Sequence, residues 1–351
     1  MKRLWRRWFT GVGALEFEAG IRASISLLVP LLILLGLGRL DLSVYASFGA
    51  FTSLYGRSEP YRLRFQTLTV AALSLLAIIS VATLLSAYDA PIWVLGVALA
   101  LVVAFGIAMS EIMGWIPRGS IFFVFALLVI ANVPIEPQDV PQALLVAASS
   151  AAFSVLIGMS GWVLRKIAPR PARAVFRPLH RRPKRALAPV KERTYWYLAL
   201  VNVIGVVGAW LLALASGIGH PYWAAVAVAA IMPTLASLTG YRRMFHRFFG
   251  TAAGVLVAAA LFLWEPSPLT LIIFIVLAQL GAELFVARHY GTALLFITPL
   301  ALGASNLGPR DPWGPLLVDR VIETGIGAAV AIVIVFVSRR VVNREKPAAT
   351  A

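Results

Sequence analysis

What most constrains this chain is a series of long stretches that contain no charge. Gln66 to Ala87 runs for 22 residues without Asp, Glu, Lys or Arg, and Ile92 to Ser110 for another 19. A bilayer core of roughly 30 Å is crossed by about 20 apolar residues in helical form. The composition points the same way: 60% of the 351 residues are apolar and 13% are charged. A soluble domain is usually about 45–50% apolar and roughly 25% charged. A disordered chain, a disulfide scaffold and a water-soluble globule are therefore excluded. The net charge of +16 would suit nucleic acid, but charges are too few overall and the apolar runs too long. They argue instead for a membrane protein with a basic cytoplasmic face. With no cysteine present, Cys-ligated metal sites and thiol catalysis are ruled out.

Twelve candidate spans follow along the chain. The first six are Ile21–Leu37, Leu42–Tyr55, Gln66–Ala87, Ile92–Ser110, Gly119–Val133 and Gln142–Leu164. The second six are Tyr195–Ser216, Tyr222–Leu238, Phe249–Trp264, Leu269–Val286, Gly291–Ala304 and Val318–Val337. This all-α membrane reading gives a first half over 1–165, a basic proline-rich linker over 166–193, a second half over 194–340 and a tail over 341–351. The basic, aromatic opening Met1–Phe9 reads as an interfacial stretch before a first span that stays in the membrane. With the N-terminus cytoplasmic and every candidate crossing, 27 of the 31 Lys and Arg fall on the cytoplasmic side. Asp41, Asp89, Glu136, Asp139, Glu265 and Asp311 fall outside. That division is what the positive-inside rule expects, and it favours counting Leu42–Tyr55 as a span. Both termini are then cytoplasmic.

The halves also resemble each other in sequence. Tyr61-Arg-Leu-Arg-Phe65 lines up with Tyr241-Arg-Arg-Met-Phe245. At an offset of 172, Ser110-Glu111 meets Ala282-Glu283, Gly119-Ser120 meets Gly291-Thr292, and Leu144-Leu-Val146 meets Leu316-Leu-Val318. Pro137-Gln-Asp139 meets Pro309-Arg-Asp311 at the same offset. Six spans is an even number, so the copies would be parallel repeats, with a substrate path expected where they meet.

Arg247-Phe-Phe-Gly-Thr-Ala-Ala-Gly254 follows a span containing Pro233 and the basic loop Gly240-Tyr-Arg-Arg243. With Tyr222-Trp-Ala224, these residues resemble the core signature of the fusaric acid resistance protein-like family. The resemblance covers roughly residues 15–165 and 194–340. It implies an inner-membrane transporter of the kind that includes aromatic carboxylic acid exporters, distantly similar to plant anion channels for malate. Larger members carry sizeable soluble domains after each membrane half. This sequence has a short linker and tail there, so those domains' roles are not transferred.

Within the motif, Arg247, Gly250, Thr251 and Gly254 read first as helix packing, because small residues let backbones approach closely. Glu111 and Glu283 occupy equivalent positions at the ends of their spans. They are either proton-coupling carboxylates or solvated interfacial groups with Arg118 or Arg288 as partners. Arg320 and Glu323, three apart, either form a local salt bridge or place a guanidinium where it can hold an organic anion. Glu18 and Arg22, four apart, either neutralise each other or leave Arg22 on the inner half of the path. Asn202 aligns with Arg22 as its neutral counterpart. His180, His220, His246 and His289 show no ligand spacing, so neither metal nor other cofactor is expected, and His220 reads as a solvated outer turn.

The linker's charges suit anionic lipid headgroups, and its short, tethered form argues against nucleic acid. No Walker motif and no nucleophile with a base stand out, so neither direct ATP drive nor enzymatic activity is expected. The reading is a proton-coupled exporter of small aromatic or amphiphilic organic acids. A passive anion channel and a non-transporting scaffold for envelope assembly are the alternatives, and a homo-oligomer is left open.

Overall fold

A computed structural model describes residues 14–167, 179, 181–183, 185–232, 242–262, 264–308 and 312–344. The basic opening, Pro169, Pro171, Pro178, His180, Pro233, Gly240, Tyr241, Arg310, Asp311 and residues 345–351 of the tail lie outside the described residues. Among those described, all regular structure is helical. The first half holds α1 (Ala14–Gly36), α2 (Ser43–Ala50), α3 (Tyr61–Ala87), α4 (Ile92–Met113), α5 (Ile121–Ile130) and α6 (Val140–Ile167). The second holds α7 (Arg193–Ala215), α8 (Tyr222–Ile231), α9 (Arg242–Phe262), α10 (Pro268–Phe285), α11 (Tyr290–Ser305) and α12 (Trp313–Arg344).

Eight of these helices are long and apolar enough to cross a membrane, and α2, α5, α8 and α11 are shorter. The stretch Leu42–Tyr55, which the charge pattern favours as a span, holds only the eight-residue α2 between two 3-10 turns. Eight residues of α-helix rise about 12 Å. Tyr222–Leu238 likewise yields a helix only to Ile231 among the described residues. The reason lies in burial. Every residue of α8 is buried, as are Tyr45 to Ala50 of α2 and Ala126 to Ile130 of α5. An apolar run surrounded by protein need not reach from one lipid surface to the other, because irregular backbone is tolerated where protein encloses it. The long helices form the outer shell instead. Their outward faces carry Ile33, Leu73, Leu101, Leu156, Leu256 and Val333, each more than half exposed. Such a shell is what hydrocarbon, not water, would cover.

The contacts follow one rule in both halves. α2 packs on α6 as α8 packs on α12, and α3 packs on α5 and α6 as α9 packs on α11 and α12. Between the halves, α1 lies against α10 while α7 lies against α4. At the centre α5 meets α8 and α2 meets α11. Helix α4 stops at Gly114, whose φ of 57° gives the left-handed turn that a side-chain-bearing residue adopts only at a cost.

Glycines set the closest approaches. A Cβ on Gly254 of α9 would lie 2.5 Å from the Leu294 carbonyl oxygen and 2.7 Å from Thr298 Cβ on α11. A Cβ on Gly250 would lie 2.9 Å from the Gly291 carbonyl oxygen. The small face of the Gly-Thr motif therefore brings two backbones together. Gly254→Val should cost about 1–3 kcal/mol as an overpacked contact and lower the unfolding temperature in detergent. Gly208→Ala, where no atom lies within 4 Å of an added Cβ, should not. Equal behaviour of the two variants would show that the contact carries no weight.

Candidate functional site

A cavity of about 640 Å³ lies between the halves, a size suited to a small organic ligand. The first half contributes Phe48 of α2, Phe51 just after it, and Phe122 and Phe125 from α5. Their rings meet edge to face, with centroids 5.1–5.2 Å apart for Phe48–Phe51, Phe48–Phe125 and Phe51–Phe122. Phe125 reaches Trp223 of the second half at 5.2 Å. Such pairs are the favoured aromatic arrangement and make a firm apolar wall.

The other wall is cationic. Arg243 and Arg247 lie four apart, hence on one face of α9, and both line the cavity with Arg320 of α12. Among the described residues, Arg57, Arg118 and Arg181 complete six lining arginines, against one lining carboxylate, Glu283. Arg320 is 1% exposed and its guanidinium carbon sits 3.7 Å from the centre of the Trp223 ring. The ring face attracts the cation without using its N–H groups. Nε and Nη1 of Arg320 have no hydrogen-bond partner among the described residues. Arg247, also 1% exposed, donates from Nη1 to the Tyr290 hydroxyl at 3.3 Å, while its Nε and Nη2 are unpartnered. Arg243 is held by the Ala230 carbonyl at 2.6 Å and by the Tyr290 ring at 4.5 Å. Two buried guanidiniums with spare donors in a largely apolar chamber are a strong attractor for an anion.

The remaining anticipated residues are distributed differently. Glu283 pairs across the halves with Arg57 at 3.5 Å, and Arg57 also donates to the Glu283 carbonyl at 3.1 Å. Arg288 is not its ion-pair partner. Glu111 is partly exposed at the end of α4 and does not line the cavity, so the two aligned carboxylates occupy unlike surroundings. The Arg320–Glu323 pair does not form. Glu323 instead turns to the start of α8, accepting from the backbone N–H of His220 at 2.9 Å and of Trp223 at 3.2 Å. A carboxylate at a helix N-terminus satisfies donors that the helix cannot.

The Glu18–Arg22 pair does not form either. Arg22, buried, donates to the Ser53 and Tyr55 carbonyls at 3.2 and 3.4 Å, while Glu18 takes Arg64 at 3.3 Å. Those carbonyls belong to the irregular turn after α2 and need a donor, which is why Arg22 serves them rather than the cavity. Asn202 is fully buried and donates to Leu198 one turn back, at 2.9 Å; neither it nor Arg22 lines the cavity. His220 is not a free outer turn, since its Nδ1 lies 2.8 Å from Asp319 Oδ2.

Sequence reasoning passed over Glu59, whose carboxylate is fully buried, and Arg181 of the linker, which binds it at 2.5 Å. Burial pushes the Arg181 pKa below the ordinary arginine value, and Glu59 works against that shift. Sequence reasoning also took Arg247 for a packing residue. The usable signal was its four-residue spacing from Arg243 on one helix face.

These features define a helical membrane protein with a cationic, aromatic chamber at its centre. Residues 208–334 match the family model described as fusaric acid resistance protein-like. The chain is 29% identical over 135 residues to YvaC, an uncharacterised membrane protein of Bacillus subtilis. It is 32% identical over 133 residues to an uncharacterised protein of Synechocystis. Each match covers 38% of this chain, but only 21% and 17% of those longer relatives. No solved structure matches.

Removing the Glu323 carboxylate strands two backbone donors, one part-buried at His220 and one buried at Trp223. Glu323→Ala should cost about 1–3 kcal/mol, read as a lower unfolding temperature in detergent. Glu323→Gln, which keeps an acceptor, should lose clearly less. An equal loss in both would mean that the cap does not hold α8.

Proposed function

We propose that this protein is a secondary transporter that exports small aromatic or amphiphilic organic acids through the cavity between its halves. The observation that carries the reading is the pairing of unlike walls. Arg247 and Arg320 offer a carboxylate N–H groups that have no partner among the described residues, and Phe48, Phe51, Phe122 and Phe125 offer an apolar surface to the rest of the ligand. The family match of residues 208–334 and the apolar outer shell support a membrane location, which we take to be the inner membrane with both termini cytoplasmic.

The reading includes two parallel repeats. In each half, short second and fifth helices alternate with long ones, and these helix pairings correspond: second with sixth, third with fifth and sixth. Asp89 and Glu265, each in the turn after the third helix of its half, share an unusual φ of 45°. On this view α2, α5, α8 and α11 are short spans enclosed by the longer ones, which keeps twelve crossings in all. Glu283 is the coupling carboxylate. It lines the cavity and is tied to Arg57, so proton uptake there would weaken a contact between the halves.

Proteoliposome flux of hydroxybenzoates and dicarboxylates, with and without a pH gradient, tests the assignment. Arg247→Gln and Arg320→Gln should each lower flux about tenfold or more, as expected for loss of one charge-assisted hydrogen bond. Glu283→Gln should abolish accumulation driven by the pH gradient and leave downhill exchange intact, while Glu111→Gln should change little. Unaltered pH-driven accumulation in Glu283→Gln would end its coupling role. Conduction indifferent to pH in the unmodified protein would identify a passive channel, and no solute movement in any gradient would point to a scaffold.

A further inference from the structure

The linker that joins α6 to α7 does more than connect them. Arg181 lines the cavity at the same end as Arg57, Ser58 and Arg118. Its guanidinium binds the fully buried Glu59 from one nitrogen and the Gly114 carbonyl from another, and its backbone N–H donates to the Ser58 carbonyl at 3.1 Å. Glu59 is oriented from its far side by the Thr67 hydroxyl at 2.8 Å. Four residues on, Arg185 binds Gln66, the Leu63 carbonyl at 2.9 Å and the Thr67 hydroxyl at 3.0 Å. The backbone N–H of Ala186 then donates to the Ile112 carbonyl at 3.1 Å. These contacts fasten one face of the linker to the turn before α3, to α3 itself and to the end of α4.

We propose that the linker around Arg181 and Arg185 is a strap across the linker-side mouth of the cavity, latched by Arg181 on Glu59. This rests on the cavity being a solute path. A buried carboxylate left without its partner is costly, so the latch is firm. Its other surroundings are cationic: Arg57 and Arg118 line the same mouth, Arg57 is already committed to Glu283, and Arg243 is held by Ala230 and Tyr290. Glu59 is the group that makes a third guanidinium tolerable there. Because the strap also ties the connection between the halves to the first half, relative movement of the halves must carry it along or release it.

The chain contains no cysteine, so a single introduced thiol reports cleanly. Val226→Cys places one on the cavity face of α8, and Ser216→Cys places a control on an exposed turn. The full chain in nanodiscs is treated with a cationic and an anionic thiosulfonate reagent, with and without Arg181→Gln, Glu59→Gln or Arg185→Gln. The strap predicts labelling at position 226 at least tenfold faster in the strap variants with both reagents, and no change at position 216. Arg185→Gln acts outside the cavity, so it carries the test if a substitution at the buried pair prevents folding, judged by size-exclusion profile. Equal rates in the parent and the folded variants overturn the strap and leave the transport reading standing. Opposite changes with the two reagents report only altered charge at the mouth and also overturn it. No labelling at 226 in any variant denies the water-accessible cavity, and with it the transport reading.

Discussion

Hydrocarbon offers a backbone no hydrogen-bond partner, and that constraint organises the whole molecule. Every element that faces outward must be a helix long enough to satisfy itself through the bilayer. Here the eight long helices meet that demand and thereby relieve α2, α5, α8 and α11 of it. Enclosed by protein, those four can be short and flanked by turns, and can present polar groups near the middle of the structure.

Inside that shell charges follow a different economy from those at a water surface. The buried guanidiniums have distinct counterparts: backbone carbonyls for Arg22, Glu18 and the Gly158 carbonyl for Arg64, the Tyr290 hydroxyl for Arg247, the Trp223 ring for Arg320; half-buried Arg57 has the Glu283 side chain. Arg22 and Arg64 each give a terminal nitrogen to two oxygen acceptors, and the Nε of each has no hydrogen-bond partner among the described residues. Arg247 and Arg320 are held mostly through a phenol or a ring face, which steadies the side chain but leaves N–H groups unspent. The division between structural and available cations is thus set by the kind of partner, not by depth of burial.

Much of this was legible in the sequence. The uncharged runs located the long helices, and the Gly-Thr motif located the contact of α9 with α11. Lengths of the inner helices were not legible, because hydropathy reports that a residue avoids water and is silent on whether lipid or protein replaces it. Pairings of charge were misjudged for a related reason. Neighbours four apart on a helix look like partners, yet Arg22 was claimed by carbonyls more than 30 residues away and Glu283 by an arginine 226 residues away. Arg247 was misassigned because its glycine-rich context drew attention to backbone contact. The polar end of one side chain and the small face beside it serve different neighbours of the same helix.

The carboxylate of Glu323 has a consequence for how the chamber can change shape. It grips the start of α8 from α12, and Gly327, one turn further along, lets the two backbones touch: a Cβ there would lie 2.5 Å from the Ala224 carbonyl oxygen. Clasped at two successive turns, α8 and α12 must tilt as a single lever. Trp223 and Arg320 ride on it together, so their mutual stacking survives any such tilt while the gap from Arg320 to the Phe125 wall widens or narrows. A rocking lever of that kind would change the width of the chamber without breaking the stack of Arg320 on Trp223.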